Sequence, residues 1–422
     1  MLDLKKTYQG MEKSDRVIFT LVGMTFFFLP IGTAPPLMCI ILASATALFS
    51  GKLVDAGKML KSPWAWPLLA MILLPWVGLL YVPELTDVSW DYARKTHYWF
   101  YAIVIALLPV DKRAVIWIVK AFLAGLAINA LFAMIQYAGL CQPPSPSGIK
   151  GYFGFGVIYS ALSMYLVAGI LAASFFFRSS SQIGIKVFNL ILIILFLFHI
   201  TIMDGRNGYM TFLLLSPMVA VNIVGRLEWK KVTLLCIIFV LCMSFSPVLQ
   251  KRINGTIKNL KLYKQVILNE SWGKDVISQM PRFYLVRAAV DIFMDNPIAG
   301  AGTGGYRYYT AQEQGGAQSH PHSNILYMGA SFGLIGLFVY LWICWVMFEQ
   351  AWRLKQELSG YFALSIFLVI FISGFFNSQI LDSGPALFFA MGYGLLGRFK
   401  SSDQWNVQNG TEKCNDHHLD YE

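Results

Sequence analysis

Residues 186–225 read KVFNLILIILFLFHITIMDGRNGYMTFLLLSPMVAVNIVG: two apolar runs, 186–203 and 208–225, joined by the polar turn Asp204-Gly205-Arg206-Asn207. Each run approaches the roughly 20 apolar residues that an α-helix needs to cross the hydrocarbon core of a bilayer. The pair therefore predicts two membrane helices with a tight connection. The same pattern repeats outward along the chain. Further apolar runs at 17–33, 35–50, 64–82, 97–110, 114–138, 155–177, 232–248, 324–349, 360–376 and 381–397 predict about twelve transmembrane helices in an all-α polytopic membrane protein.

Composition points the same way. Of 422 residues, 56% are hydrophobic and 13% charged, against roughly 25% charged in soluble domains. The mean hydropathy is +0.56, and a soluble enzyme is excluded. The net charge of +10 does not imply nucleic acid as a partner, because most Lys and Arg sit in short loops between apolar runs, where they orient helices. Cys39, Cys141, Cys236, Cys242, Cys344 and Cys414 form no CxxC pair and lie mostly inside apolar runs, so neither a zinc site nor a disulfide framework is expected.

Lys5, Lys6, Lys13 and Arg16 precede the first run and no small-residue cleavage site follows it, so it reads as a span with a cytoplasmic basic flank rather than a signal peptide. That orientation assigns every second loop to the cytoplasm. The loops so assigned carry Lys52, Lys58 and Lys61; Lys112 and Arg113; Arg178 and Lys186; Arg226, Lys230 and Lys231; Arg353 and Lys355; and Arg398 and Lys400. Both termini are then cytoplasmic. Three outer segments break the charge rule: Arg94 with Lys95, Arg206, and the long stretch 249–323. The chain accordingly divides into nine helices over 1–248, an outer loop module over 249–323, three helices over 324–397, and a polar tail over 398–422 expected to be disordered. Within the module, Arg282 to Asp295 reads as an amphipathic helix with Phe283, Val286, Val290 and Phe293 near one face, stopped by Asn296-Pro297.

Gly300, Gly302 and Gly305 match G-x-G-x-x-G, but no strand precedes them, so a tight turn with backbone N–H groups free to approach an anion is expected instead of a dinucleotide site. His320 and His322 flank Pro321, and residues at i and i+2 cannot share one helix face. The nearest acidic residue, Glu313, is not at a familiar ligand spacing. A general base or a phosphate contact is expected before a metal site, with polar residues at a membrane boundary as the plain alternative. Arg206 sits in a very short turn against the charge bias, where the alternative is snorkelling to lipid phosphate. Asp382 stands beside Ser378, Gln379 and Ser383, where a carboxylate must lie near the interface or be buried with a partner. These groups fall on one outer face and describe a site for a polyanion at the membrane surface. Diphosphate fits, because guanidinium groups meet phosphate oxygens bidentately and arginines can stabilise leaving charge in place of Mg²⁺.

Arg206 in its turn, Pro281-Arg282 opening a helix that ends in Asn296-Pro297-Ile298-Ala299-Gly300-Ala301-Gly302, and His320-Pro321-His322-Ser323-Asn324 running into Gly333-Leu334-Ile335-Gly336 resemble the O-antigen ligase and polymerase family. The resemblance covers the C-terminal half well and the N-terminal half only in topology. It implies a twelve-helix bacterial inner-membrane glycosyltransferase that takes a glycan from undecaprenyl diphosphate on the periplasmic side without a metal or other cofactor. It implies that Arg206 and Arg282 hold the donor diphosphate; by charge and placement alone, Arg94, Lys95, Arg287 and His320 are weaker candidates. It implies that His322 is catalytic, as base or as phosphate donor, and that Asp382, within Asn377-Ser378-Gln379-Ile380-Leu381-Asp382, corresponds to an aspartate of the ligase branch. Ser323 and Ala330-Ser331 depart from the commoner family pattern. The expected function is O-antigen ligation to the lipid A core. An O-antigen polymerase and a protein O-oligosaccharyltransferase share the donor, and a secondary transporter is the reading from a different class.

Overall fold

The computed structural model describes residues 11–52, 62–108, 112–142, 152–203, 205–225, 228–244, 281–312 and 318–408, together with residues 250, 254, 255 and 257. Among these residues the regular structure is helical throughout. The apolar runs fold as α1 (Lys13–Phe28), α2 (Ala34–Phe49), α3 (Ala65–Gly78), α5 (His97–Leu107), α6 (Lys112–Tyr137), α7 (Tyr159–Ser179), α8 (Ile183–Ile202), α9 (Arg206–Val224), α10 (Trp229–Ser244), α13 (Asn324–Arg353), α14 (Leu358–Ser373) and α15 (Ser383–Gln408). Three further helices stand between them: α4 (Asp87–Arg94), α11 (Pro281–Asp295) and α12 (Gly305–Ala311). Five helices among the described residues are long and apolar enough to cross a membrane: Ala114–Tyr137, Tyr159–Ser179, Ile183–Ile202, Asn207–Val224 and Asn324–Arg353. The protein is a multi-pass membrane protein by that measure. Helices α2, α3 and α14 are shorter apolar helices; the ends of the α3 and α14 runs go into turns, and the α2 run is itself short.

Helix α7 is the hub. Of its most apolar window, 89% is buried, and it packs against α6, α8, α9, α14 and α15. Its small residues, Ala161, Ser163, Ala168, Gly169, Ala172, Ala173 and Ser174, let neighbouring backbones approach closely, which is how helices associate where lipid offers no hydrophobic contrast. Buried polar pairs add direction: Asn222 Nδ2 donates to Ser174 Oγ at 2.9 Å and to Tyr361 OH at 2.7 Å. Trp64 Nε1 donates to the carbonyl of Tyr393 at 3.1 Å while Tyr393 OH donates to that of Trp64 at 2.7 Å.

The loop after α11 plugs a break in α13. Gly333 has φ 61° and ψ −148°, which interrupts the helix. The freed N–H groups of Leu334 and Ile335 donate to the carbonyls of Pro297 and Ile298 at 2.8 and 3.3 Å. The freed carbonyls of Ala330 and Ser331 accept from Ala301 and Gly302 at 2.9 and 2.8 Å. Unsatisfied, each such group would cost several kcal/mol in an apolar setting. The approach requires glycine: at Gly300, φ 68°, a Cβ would stand 2.4 Å from the N of Phe332. The glycine turn is thus present, but the N–H groups expected to be free for an anion are already bonded, Gly302 to Ser331 of α13, Gly300 to Asn296 and Gly305 to Gly302, and that expectation is corrected.

The helix expected at Arg282–Asp295 forms, and one further expectation, for the tail, changes. Helix α11 buries Tyr284, Leu285, Ala288, Ala289 and Ile292, packed with Ala301, Tyr306 and Ala330, while Val286 and Val290 are exposed. The helix offers two apolar stripes, and Ala288 and Ala289 allow close packing on α13 where the valine stripe does not. The last helix also runs to Gln408, so the tail expected from residue 398 begins as helix. Residues 409–422, Lys58, Lys61, Glu313 and most of 249–280 lie outside the described residues.

Candidate functional site

The site forms where the start of α13 meets the turn between α14 and α15. Ser323 is extended and caps α13, its Oγ accepting from the N–H of Leu326 at 3.5 Å. Asn324 stitches the two segments together. Its N–H donates to the carbonyl of Gly374 at 2.7 Å, its Oδ1 accepts from the N–H of Ile380 at 3.2 Å, and its Nδ2 donates to Tyr340 OH at 3.1 Å. Ser378 Oγ donates to the carbonyl of Ser323 at 3.3 Å. A short 3₁₀ turn, Gln379–Leu381, then delivers Asp382 to the position just before α15.

His322 has φ 53°, the only positive value at a non-glycine position among the described residues. A left-handed conformation costs such a residue on the order of 1–2 kcal/mol. What it gains is contact: His322 Nδ1 lies 3.0 Å from Asn377 Oδ1, and Asn377 Nδ2 donates to Asp382 Oδ2 at 3.2 Å. The His320 ring stands edge-on to that of His322, centroids 4.5 Å apart, and its Nδ1 accepts from the N–H of His322 at 3.4 Å. Burial, with help from the charges of His322 and Lys95, pushes the His320 imidazole down to about 4, so it is neutral at physiological pH. Burial raises the Asp382 carboxyl above its ordinary range, opposed by Lys95, by His322 and by the bond from Asn377.

Lys95 closes the cluster from the end of α4. Its Nζ is 3.0 Å from Asp91 Oδ2 and 5.1 Å from the centre of the Tyr92 ring. Tyr92 OH donates to the carbonyl of Ser319 at 2.9 Å. A cavity of about 240 Å³ opens beside these groups, lined by Lys95, Tyr98, Tyr165, Asp382 and Ser383 along with apolar side chains such as Leu37. Tyr165 OH is buried there with no hydrogen-bond partner among the described residues.

His320, His322, Lys95 and Asp382 are therefore brought together. Arg206 opens α9, and its side chain lies outside the described residues. Its neighbour Asn207 donates to Ser373 Oγ at 2.6 Å, and Gln379 Nε2 donates to the same oxygen at 2.8 Å, so the start of α9 abuts the turn that carries Asp382. Arg94, Arg282 and Arg287 are exposed and do not line the cavity. Arg287 pairs along α11 with Asp291 at 3.3 Å. Sequence reasoning passed over Asn377, Tyr92 and Tyr165 as site residues. For Asn377 the signal was available, since an amide five residues before Asp382 in a polar turn can reach it. Among the described residues, no group of three His, Cys, Asp or Glu side chains is placed to hold a metal ion.

Residues 152–341 match the family model described as O-antigen ligase. The match supports the family resemblance read from the motifs. It contains Arg206, His320 and His322, while Lys95, Asn377 and Asp382 fall outside it. No curated protein matches the chain.

Proposed function

We propose, from the premise that residues 152–341 carry an O-antigen ligase domain in a multi-pass membrane protein, that the chain moves O-antigen polysaccharide from undecaprenyl diphosphate to the lipid A core. On this reading twelve helices cross the bacterial inner membrane, both termini are cytoplasmic, and 249–323 and the site lie on the periplasmic face. The observation that carries the reading is the linked set His322, Asn377 and Asp382 beside a cavity and next to the start of α9. An acceptor sugar hydroxyl attacks the anomeric carbon, a new C–O bond forms, and the bond to the diphosphate breaks. The hydroxyl proton passes to His322. Arg206 and Arg282 stabilise the charge on the departing diphosphate, with Lys95, which lines the cavity together with Asp382, as a further cation, and no metal takes part. Because the break in α13 is filled by the 297–302 loop, the discontinuous helix is not an open substrate site of the transporter kind.

The test is the lipopolysaccharide of a deletion strain, separated on a gel. Loss of every band above core, restored by the wild-type gene, is the expected outcome. A surviving single-repeat band identifies a polymerase instead, and an unaltered profile with an unglycosylated secreted protein identifies a protein glycosyltransferase.

A further inference from the structure

Asn377 lies between His322 and Asp382, and its amide has two chemically different ends. The NH₂ group faces Asp382 and donates to its Oδ2 at 3.2 Å, a bond that a carboxylate oxygen accepts. The amide oxygen, which also only accepts, is then left facing His322 Nδ1 at 3.0 Å. That nitrogen must carry a proton. In a neutral ring the lone pair consequently resides on Nε2.

We infer that Asn377 is a positioning residue whose amide, oriented by Asp382, holds His322 in the Nδ1–H tautomer and so leaves Nε2 to take the proton of the attacking hydroxyl. The inference deepens the proposed function and rests on His322 acting as base. The main chain is built to keep the amide in place. The Asn377 N–H donates to the carbonyl of Ser373 at 3.1 Å and its own carbonyl accepts from Gln379 at 3.0 Å. The left-handed backbone at His322 serves the same contact, since it turns the ring toward α15's leading turn while Ser323 already caps α13. During transfer the proton moves from the hydroxyl to Nε2, and Nδ1 keeps its own proton toward Asn377. The amide relays orientation and no proton, and Asp382 exchanges no proton in the step. The titratable groups facing this set are Lys95 and Tyr92 of the α4 turn with Asp91 behind them, Tyr98 of α5, Tyr165 of α7, and His320. Protonating Asp382 would let it donate to the amide oxygen, and the tautomer preference would be lost.

The experiment uses full-length protein in lipid bilayers, labelled with ¹⁵N-histidine, with the His322 signals identified by their absence in His322→Gln. Wild-type protein at pH 7.5 should give a protonated Nδ1 and a bare Nε2, and Asn377→Ala should lose that preference. In transfer assays with purified lipid-linked polysaccharide and rough lipopolysaccharide, Asn377→Ala should lower kcat roughly 10- to 100-fold, as expected when a base loses its orientation, with donor KM within about twofold. The double variant Asn377→Ala/Asp382→Asn should be no worse than its poorer parent, because both act through one contact. A wild-type Nε2–H tautomer, a near-normal kcat in Asn377→Ala, or losses that multiply in the double variant would each overturn the inference while leaving His322 as base. Full activity in His322→Ala would instead remove the reading on which it rests.

Discussion

Tyr92 OH donates to the carbonyl of Ser319 at 2.9 Å, and this bond ties the helix that ends at Lys95 to the loop that carries His320 and His322. Its ring also meets Tyr327 of α13 edge-on at 5.8 Å, so the phenol sits in a fixed place. Tyr92→Phe should keep the ring contact and lose only the hydrogen bond, worth about 1 kcal/mol. Protein levels in the membrane should be normal and transfer should fall by roughly 3- to 10-fold, measured with the same lipid-linked donor. A normal rate would mean that Lys95 and the histidines do not depend on each other's position.

Gly300 is predicted to be intolerant of any side chain. Both its φ of 68° and the 2.4 Å approach of a Cβ to the N of Phe332 oppose substitution. Gly300→Ala should expel the 297–302 loop and leave the broken turn of α13 unsatisfied, at a cost of at least about 2 kcal/mol. The measurement is the melting temperature in detergent, which should drop by several degrees. An unchanged value would mean that the loop and α13 are not interlocked as their backbone bonds imply.

The same glycine marks where sequence reading stops. Helix positions were legible because apolar runs of the right length admit little else, and each run from 17–33 to 381–397 coincides with a helix. Helix α4 was not, since Thr86 and Ser89 form its capping box in a short polar stretch with no apolar signal. Which stripe of α11 packs inward was not legible, because two stripes compete and the choice is made by α13. Candidate residues of the right chemistry were legible one by one. Their assembly was not, because it depends on a left-handed His322 and on Asn377, and neither leaves a periodic pattern.

His320 gives a pH dependence whose sign is fixed by its environment. Its imidazole has an ordinary value of 6.5 when exposed and is pushed down to about 4 in the fold, chiefly by burial. Between these values the unfolded chain binds a proton that the folded protein does not, so stability falls as pH drops from about 6.5 toward 4. His320→Asn should flatten that part of the curve of melting temperature against pH. The transfer rate between about pH 5 and 8 should keep the shape of its profile in the variant, because His320 stays neutral across that range. A profile that changes shape would assign the titration to His320 and weaken the placement of the base on His322.

Arg206 carries the last prediction. Its backbone begins α9 directly after Gly205, and no side chain among the described residues caps that helix. The first-turn N–H groups and the positive end of the helix dipole are therefore placed to favour an anion, and a guanidinium at the same point would grip two phosphate oxygens at once. Lysine supplies the charge without the planar fork. Arg206→Lys should consequently fail nearly as badly as Arg206→Ala, each losing roughly 100-fold or more in kcat/KM, with both proteins present at normal levels. Substantial activity in the lysine variant would reduce Arg206 to a point charge or a topology anchor. With cations supplied by the protein, the wild-type rate should also survive EDTA. A rate abolished by EDTA and restored by Mg²⁺ would require the ion to bridge the diphosphate, and the role given to Arg206 would pass to it.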